Sequence, residues 1–309
     1  MTDTISGAFL LLFFVGLLGG LVYWAKRAET DRSAYVGLYL VFGIPGLLLT
    51  VAGLALSVNR VDAGPLALGC GLALGLPMIK RVRVQIARVT PMDPDSPIDM
   101  AGLATILLVI MISLLTLNDT DTSSSSDDVT IATLLINVIA FVSIAYVCVG
   151  YRIWRTGEDA TQRLGIRVPS PRTVLIALGC VIPAFISSII GSALTQAFQP
   201  DVIDNLEHTV SDMTSGVNNP FGALLLGLST GVGEEVLFRG AIQPRYGMVL
   251  ASICWALLHA QYGFTFVLVG LFGIGILLGL ERKYLGTSAA IITHATYNTI
   301  LVLLQTYTN

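Results

Sequence analysis

Charge is what this sequence has least of. Only 12% of its 309 residues are Asp, Glu, Lys or Arg, about half the share usual in soluble domains, while 54% are hydrophobic. That balance excludes a water-soluble globular protein and leaves a polytopic membrane protein. Cysteine is equally sparse: Cys70, Cys148, Cys180 and Cys254 each lie inside an apolar run and never form a Cys-x-x-Cys pair, which excludes a disulfide framework and a zinc knuckle and makes them small core residues. The net charge is −3, with no concentrated basic stretch beyond short loops, so no nucleic-acid partner is expected. No long polar block separates the apolar runs, so residues 1–309 read as a single membrane domain with no linker. No internal repeat, inverted pair of halves or matched set of broken helices is present, which weakens a secondary-transporter reading.

What is there is a succession of ten apolar runs: Ile5 to Trp24, Ala34 to Ser57, Pro65 to Ile79, Met100 to Leu117, Val129 to Tyr151, Thr173 to Phe198, Pro220 to Phe238, Met248 to Tyr262, Phe264 to Leu280 and Ser288 to Thr306. Most reach the roughly 20 residues that cross a bilayer core as a helix. The third and eighth are short, so the expectation is an all-α polytopic helical bundle of eight to ten transmembrane helices, embedded in the lipid bilayer of the cell (plasma) membrane. The first run has no basic residue before it and no small-x-small pattern after it, so it reads as a retained anchor.

Basic residues test the count, because they concentrate on cytoplasmic loops. Of the 17 Lys and Arg, all but Arg60 fall after the odd-numbered runs, in the loops led by Lys26, Lys80, Arg152, Arg239 and Arg282. This places the N-terminus outside. The stretches Asn118 to Asp128 and Pro200 to Asn219 are acidic and Ser/Thr-rich, as solvated external loops should be, and Asn118-Asp-Thr120 matches the short glycosylation pattern.

The costly residues sit in the seventh run, at Gly231-Val-Gly-Glu-Glu-Val-Leu-Phe-Arg-Gly240. An ionised carboxylate within a membrane helix is disfavoured by roughly 2.5 to 3.5 kcal/mol on insertion scales, so two adjacent ones call for a role. Residues four apart share a helix face while adjacent ones diverge. Glu235 and Arg239 are therefore expected to form a structural ion pair that leaves Glu234 free to act; binding of a basic partner by both acids is the simpler alternative.

Two of the three histidines, His259 and His294, also lie within apolar runs, whereas His208 is in an acidic external loop. Trp255 stands one turn before His259 and Asn298 one turn after His294. Counted at about 1.5 Å per residue from the cytoplasmic ends, Glu234, His259, His294 and Asn298 fall about 12 to 18 Å deep, in one layer. Agreement in depth among groups so far apart in sequence favours a shared site.

The set Glu234-Glu235-x-x-x-Arg239, then an aromatic Trp255-x-x-x-His259, then His294-x-x-x-Asn298, resembles the CAAX-protease and bacteriocin-processing (CPBP, ABI) family of intramembrane endopeptidases. The resemblance covers roughly Thr173 to Thr306 and departs only in Trp255, where the family usually has Phe. It implies a catalytic core over residues 173–309 and leaves the helices of residues 1–172 without an assigned role. It also implies a peptide or protein substrate, prenylated or not, cleaved near the cytoplasmic side, CAAX-type C-terminal processing being one such reaction. Glu234 would be the base that activates a water, His259 would help to hold that water, and His294 and Asn298 would stabilise the oxyanion, with Glu235 and Arg239 in support. Residue chemistry is compatible: a carboxylate desolvated among apolar neighbours is a stronger base, and a positioned base contributes about 10² to 10⁴ in rate.

Other readings remain at this stage. A metal site of Glu234, His259 and His294 with water as fourth ligand is the zinc alternative; the absence of a His-x-x-x-His pair favours a site without a cofactor. Gly227-Leu-Ser229-Thr-Gly231 fits the serine-hydrolase pattern but lies in an apolar helical run instead of the required strand-to-helix elbow. A peptide-binding membrane scaffold or immunity-type protein would use the same cavity without cutting, and a transporter would use the two glutamates to carry protons.

Overall fold

In the computed structural model, residues 2–116 and 129–308 are described, and among them every regular element is helical. The Asn118-Asp-Thr120 pattern and the rest of its loop lie outside the described residues. The helices are α1 (Thr2–Arg27), α2 (Arg32–Val58), α3 (Ala63–Gly75), α4 (Lys80–Ala87), α5 (Pro97–Thr116), α6 (Ile131–Cys148), α7 (Gly157–Leu164), α8 (Pro171–Phe198), α9 (Ile203–Thr214), α10 (Pro220–Glu235), α11 (Gln243–Tyr246), α12 (Met248–Leu257), α13 (Val267–Tyr284) and α14 (Thr287–Thr308).

Each of the ten apolar runs becomes a helix. Among the described residues seven are long and apolar enough to cross a membrane, or up to eight if the bent pair of α3 and α4, which meet at 84°, is one span. The chain is an integral membrane protein built as an all-α bundle. The shortfall from ten has local causes. The third run breaks through a 3₁₀ turn at Leu76–Met78. The eighth run, already short, is helical only to Leu257, where α12 stops, and the chain turns through Ala260–Tyr262 into Gly263, whose φ is +58°. The ninth run keeps its helix but ends in Glu281, Arg282 and Lys283, which shortens its apolar part.

The chain divides into two compact units. One comprises residues 19–120 with 245–247, and its centre is the hairpin of α2 and α3. A Cβ on Gly53 would fall within 2.7 Å of the Ala67 carbonyl carbon, so only glycine permits this separation of the two backbones. Asp31 opens α2 as its N-cap, its carboxylate accepting the Ser33 backbone N–H at 2.9 Å and that of Ala34 at 3.3 Å. Arg83 is buried because its guanidinium is fully employed: Nη1 donates to the Pro77 carbonyl at 2.5 Å and Nε to that of Pro94 at 2.7 Å. In the same unit Arg245 pairs with the buried Asp99.

The other unit comprises residues 1–18, 121–244 and 248–309 and holds α6 to α10 and α12 to α14. α10 packs between α6 and α14, while α13 packs on α8, α12 and α14. Gly231 faces Ala295 of α14 so closely that a Cβ there would lie 2.8 Å from the Ala295 nitrogen. Thr293 ties α14 to α8 by donating to the Ala177 carbonyl at 2.9 Å. The amphipathic α7 begins with a Thr156–Asp159 capping box and ends at Gly165 in the left-handed conformation. Its C-terminal end is strapped to the start of α14 by Thr287 Oγ1 donating to Leu164 O at 2.5 Å and Arg167 N–H donating to Ser288 Oγ at 3.0 Å.

The Gly275–Gly279 pair does what small residues do between membrane helices. Gly275 sits against Ser252 of α12 and Gly279 against Met248, and their buried carbonyls accept from Arg239 Nη2 at 3.3 Å and Gln243 Nε2 at 2.8 Å. No disulfide joins the four cysteines; Cys254 is buried and the other three are half-buried.

Candidate active site

All the candidate residues belong to the unit formed by α6 to α10 and α12 to α14. Glu234 and Glu235 close α10, and the chain then widens into a π-helical segment over Val236–Ile242 before α11. Single-turn π segments are frequent at functional sites; this longer one follows directly on the two carboxylates and contains Arg239.

Glu235 and Arg239 form the expected pair. Their side chains are 0% exposed, with Arg239 Nε 3.3 Å from Glu235 Oε2. Arg239 has further support from the Gly275 carbonyl and from the Trp255 ring, over which its guanidinium carbon lies at 5.2 Å. An unpaired cation here would carry a large desolvation cost, so the arginine is held on three sides.

The second oxygen of Glu235 reaches α14. His294 Nδ1 donates to Glu235 Oε1 at 2.8 Å, and His294 is only 3% exposed. The carboxylate thus bridges Arg239 and His294, and it is the histidine, rather than Glu234, that this pair orients. Because Nδ1 is committed, Nε2 is the ring atom turned toward Asn298, whose Nδ2 lies 3.1 Å away. Asn298 Nδ2 also donates to Thr230 Oγ1 at 2.8 Å, which fixes the amide from the α10 side.

Glu234 points away from this pair and is half-buried. Trp255 Nε1–H donates to Glu234 Oε2 at 2.5 Å. His259, just beyond α12, donates from Nδ1 to the carbonyl of Trp255 at 2.9 Å, so its Nε2 is free. The indole packs edge-to-face against His259 at 4.7 Å and against His294 at 5.6 Å between ring centroids. His259 also lies parallel to Tyr262 at 6.2 Å.

Glu234, Glu235, Arg239, His294 and Asn298 are thus joined with Trp255 and Thr230 into one polar cluster on α10, its π segment, α12 and α14, and His259 enters through Trp255. His208 takes no part in it; it lies on α9. Sequence reasoning missed Thr230, although it stands four residues before Glu234 on one helix face. It also missed Glu281, a 4% exposed carboxyl whose Oε1 lies 2.7 Å from Thr293 Oγ1 and which Arg282 and Lys283 follow directly on α13. The π segment left no mark in the hydrophobic pattern. Ser229 of the serine-hydrolase pattern is buried and donates to the Leu226 carbonyl at 3.0 Å, as a packing hydroxyl does.

The zinc alternative needs Glu234, His259 and His294 to converge on one ion. Among the described residues no three His, Cys, Asp or Glu side chains do so, and Asn298 engages Nε2 of His294, the nitrogen left for a metal. This donor set does not fit zinc as arranged.

Residues 216–300 match the family model described as type II CAAX prenyl endopeptidase, Rce1-like. The matched segment runs from just before α10 into α14 and contains every residue of the three motifs, in agreement with the resemblance read from them. No curated protein and no solved structure gives a significant match.

Proposed function

With the type II CAAX prenyl endopeptidases as the similar family, we propose that this chain is an intramembrane peptidase that cuts a C-terminal peptide bond near the cytoplasmic face of the membrane, using Glu234 to activate water. The observation that carries this reading is the division of labour between adjacent carboxylates. Glu235 is consumed by Arg239 and His294, whereas Glu234 has one oxygen on the Trp255 indole and the other available for a water.

The steps follow from the groups present. Glu234 takes a proton from water as the hydroxide adds to the scissile carbonyl carbon. The resulting oxyanion is bound by His294 Nε2 and Asn298 Nδ2, whose present 3.1 Å contact opens to admit it. In this proposal His294 Nε2 takes up a proton as its contact with the Asn298 amide opens, and so donates to the oxyanion alongside Asn298 Nδ2. The carbon–nitrogen bond then breaks as Glu234 returns its proton to the departing amine. His259, held by Trp255 with Nε2 free, is placed to hold the attacking water. No metal is needed in these steps.

Full-length protein in proteoliposomes, given a peptide ending in farnesylated Cys followed by two aliphatic residues and a free C-terminal residue, should release the last three residues, detected by mass spectrometry. An unprenylated peptide tests the need for the lipid, and a chelator arm should leave the rate unchanged. Glu234→Gln and His294→Ala should each lower release by about a hundredfold or more while the protein stays folded; full activity in either ends the assignment. Binding of the peptide without new termini would instead favour a peptide-binding scaffold.

A further inference from the structure

We propose that Trp255 is the positioning residue for Glu234, its indole N–H holding one carboxylate oxygen so that the other faces the attacking water; this rests on the reading of Glu234 as the base. Three observations converge. Trp255 Nε1–H donates directly to Glu234 Oε2, a hydrogen bond to a carboxylate acceptor. Trp255 is 2% exposed, and its ring is fixed by His259 on one side, His294 on another and the Arg239 guanidinium across its face. Among the described residues no other hydrogen bond to the Glu234 carboxylate accompanies it, and the neighbouring arginine is spent on Glu235.

The same residue sets His259, because the Trp255 backbone carbonyl accepts from His259 Nδ1 at 2.9 Å. One side chain and its own carbonyl therefore orient two groups of the site, from a helix that ends two residues later. A phenylalanine at this position would keep the aromatic packing but could not donate to the carboxylate, leaving Glu234 free to rotate.

The test separates this role from packing. Trp255→Phe in the full chain, assayed on the farnesylated peptide, should lower kcat by roughly tenfold to a hundredfold, the usual worth of a hydrogen bond to a charged group, with KM changed less than about threefold. Independently of activity, protein labelled with ¹⁵N at the indole nitrogens carries signals from Trp24, Trp154 and Trp255. The Trp255 signal is the one kept in a Trp24→Phe/Trp154→Phe double variant. Glu234→Gln should move that signal to a smaller proton shift and leave the other two in place. An unmoved Trp255 signal overturns the proposal, whether or not Trp255→Phe folds. Unchanged kcat in a folded Trp255→Phe variant overturns it while leaving the base assignment intact. Activity retained in Glu234→Gln removes the base assignment and the positioning role with it.

Discussion

Glu235 on α10 and His294 on α14 are joined at 2.8 Å, although 59 residues separate them in sequence and neither side chain is more than 3% exposed. This contact makes Glu235 a shared anion for Arg239 and His294. Removing its charge strands a buried guanidinium. Glu235→Gln should therefore destabilise the protein by about 3 to 5 kcal/mol. Chemical unfolding in detergent measures it, and a Glu235→Leu/Arg239→Met double variant should be less destabilised than Glu235→Leu alone. A loss no larger in the single variant than in the double would mean the pair is not coupled.

Glu234→Gln should behave in the opposite way. The glutamine oxygen can still accept from Trp255, and the residue is only half-buried, so unfolding should shift by less than about 1 kcal/mol. Peptide release should fall by about 10² to 10⁴, the contribution typical of a positioned base. The contrast between neighbouring glutamates, one affecting stability and the other turnover, is the signature to seek.

Asn298 and Thr230 form a graded pair. Asn298→Ala should lower kcat by about 10² to 10³, as for loss of an oxyanion donor. Thr230 only holds the Asn298 amide, at 2.8 Å, so Thr230→Val should cost less and Thr230→Ser should restore most of the rate. Equal losses in Thr230→Val and Thr230→Ser would point to packing instead.

Orientation in the membrane can be read directly. In a variant whose four cysteines are replaced by alanine, a single cysteine at Glu158 on α7 or Glu207 on α9, both exposed positions, reports its side to a membrane-impermeant thiol reagent. The basic-residue distribution predicts labelling of position 207 in intact cells and of position 158 only after lysis or in inverted vesicles.

Asp31 offers a pH-dependent check outside the membrane spans. Hydrogen bonds from the Ser33 hydroxyl and then from the Ala34 and Ser33 backbone N–H groups hold its carboxyl at about 2, against an ordinary 3.8. A depressed folded-state value stabilises the fold above the ordinary one, and that contribution fades as pH falls from about 3.8 toward about 2. The Asp31 carboxyl carbon resonance should titrate with that low midpoint, and Ser33→Ala should raise it.

Much of this molecule was legible in one dimension. Ten apolar runs became ten helices because backbone groups in lipid must satisfy one another within the segment. Glu235 and Arg239 were legible as partners because an i, i+4 spacing survives the passage from α10 into the π segment. The end of α12 before His259 was not legible, since the apolar pattern runs on while the backbone turns at Gly263.

The sequence by itself determined the class of protein, the helical segments, the sidedness expected of its loops and the identity of the polar residues that an apolar interior must account for. Tertiary structure decided their partners. That Glu235 serves His294 as well as Arg239, that Thr230 holds Asn298, and that the Trp255 indole reaches Glu234 all depend on how far α10, α12 and α14 approach one another and at what rotation. Helical spacing specifies neighbours only along one helix; contacts between helices are set by packing, here by Gly231 against Ala295 and by the widened turn that carries Arg239.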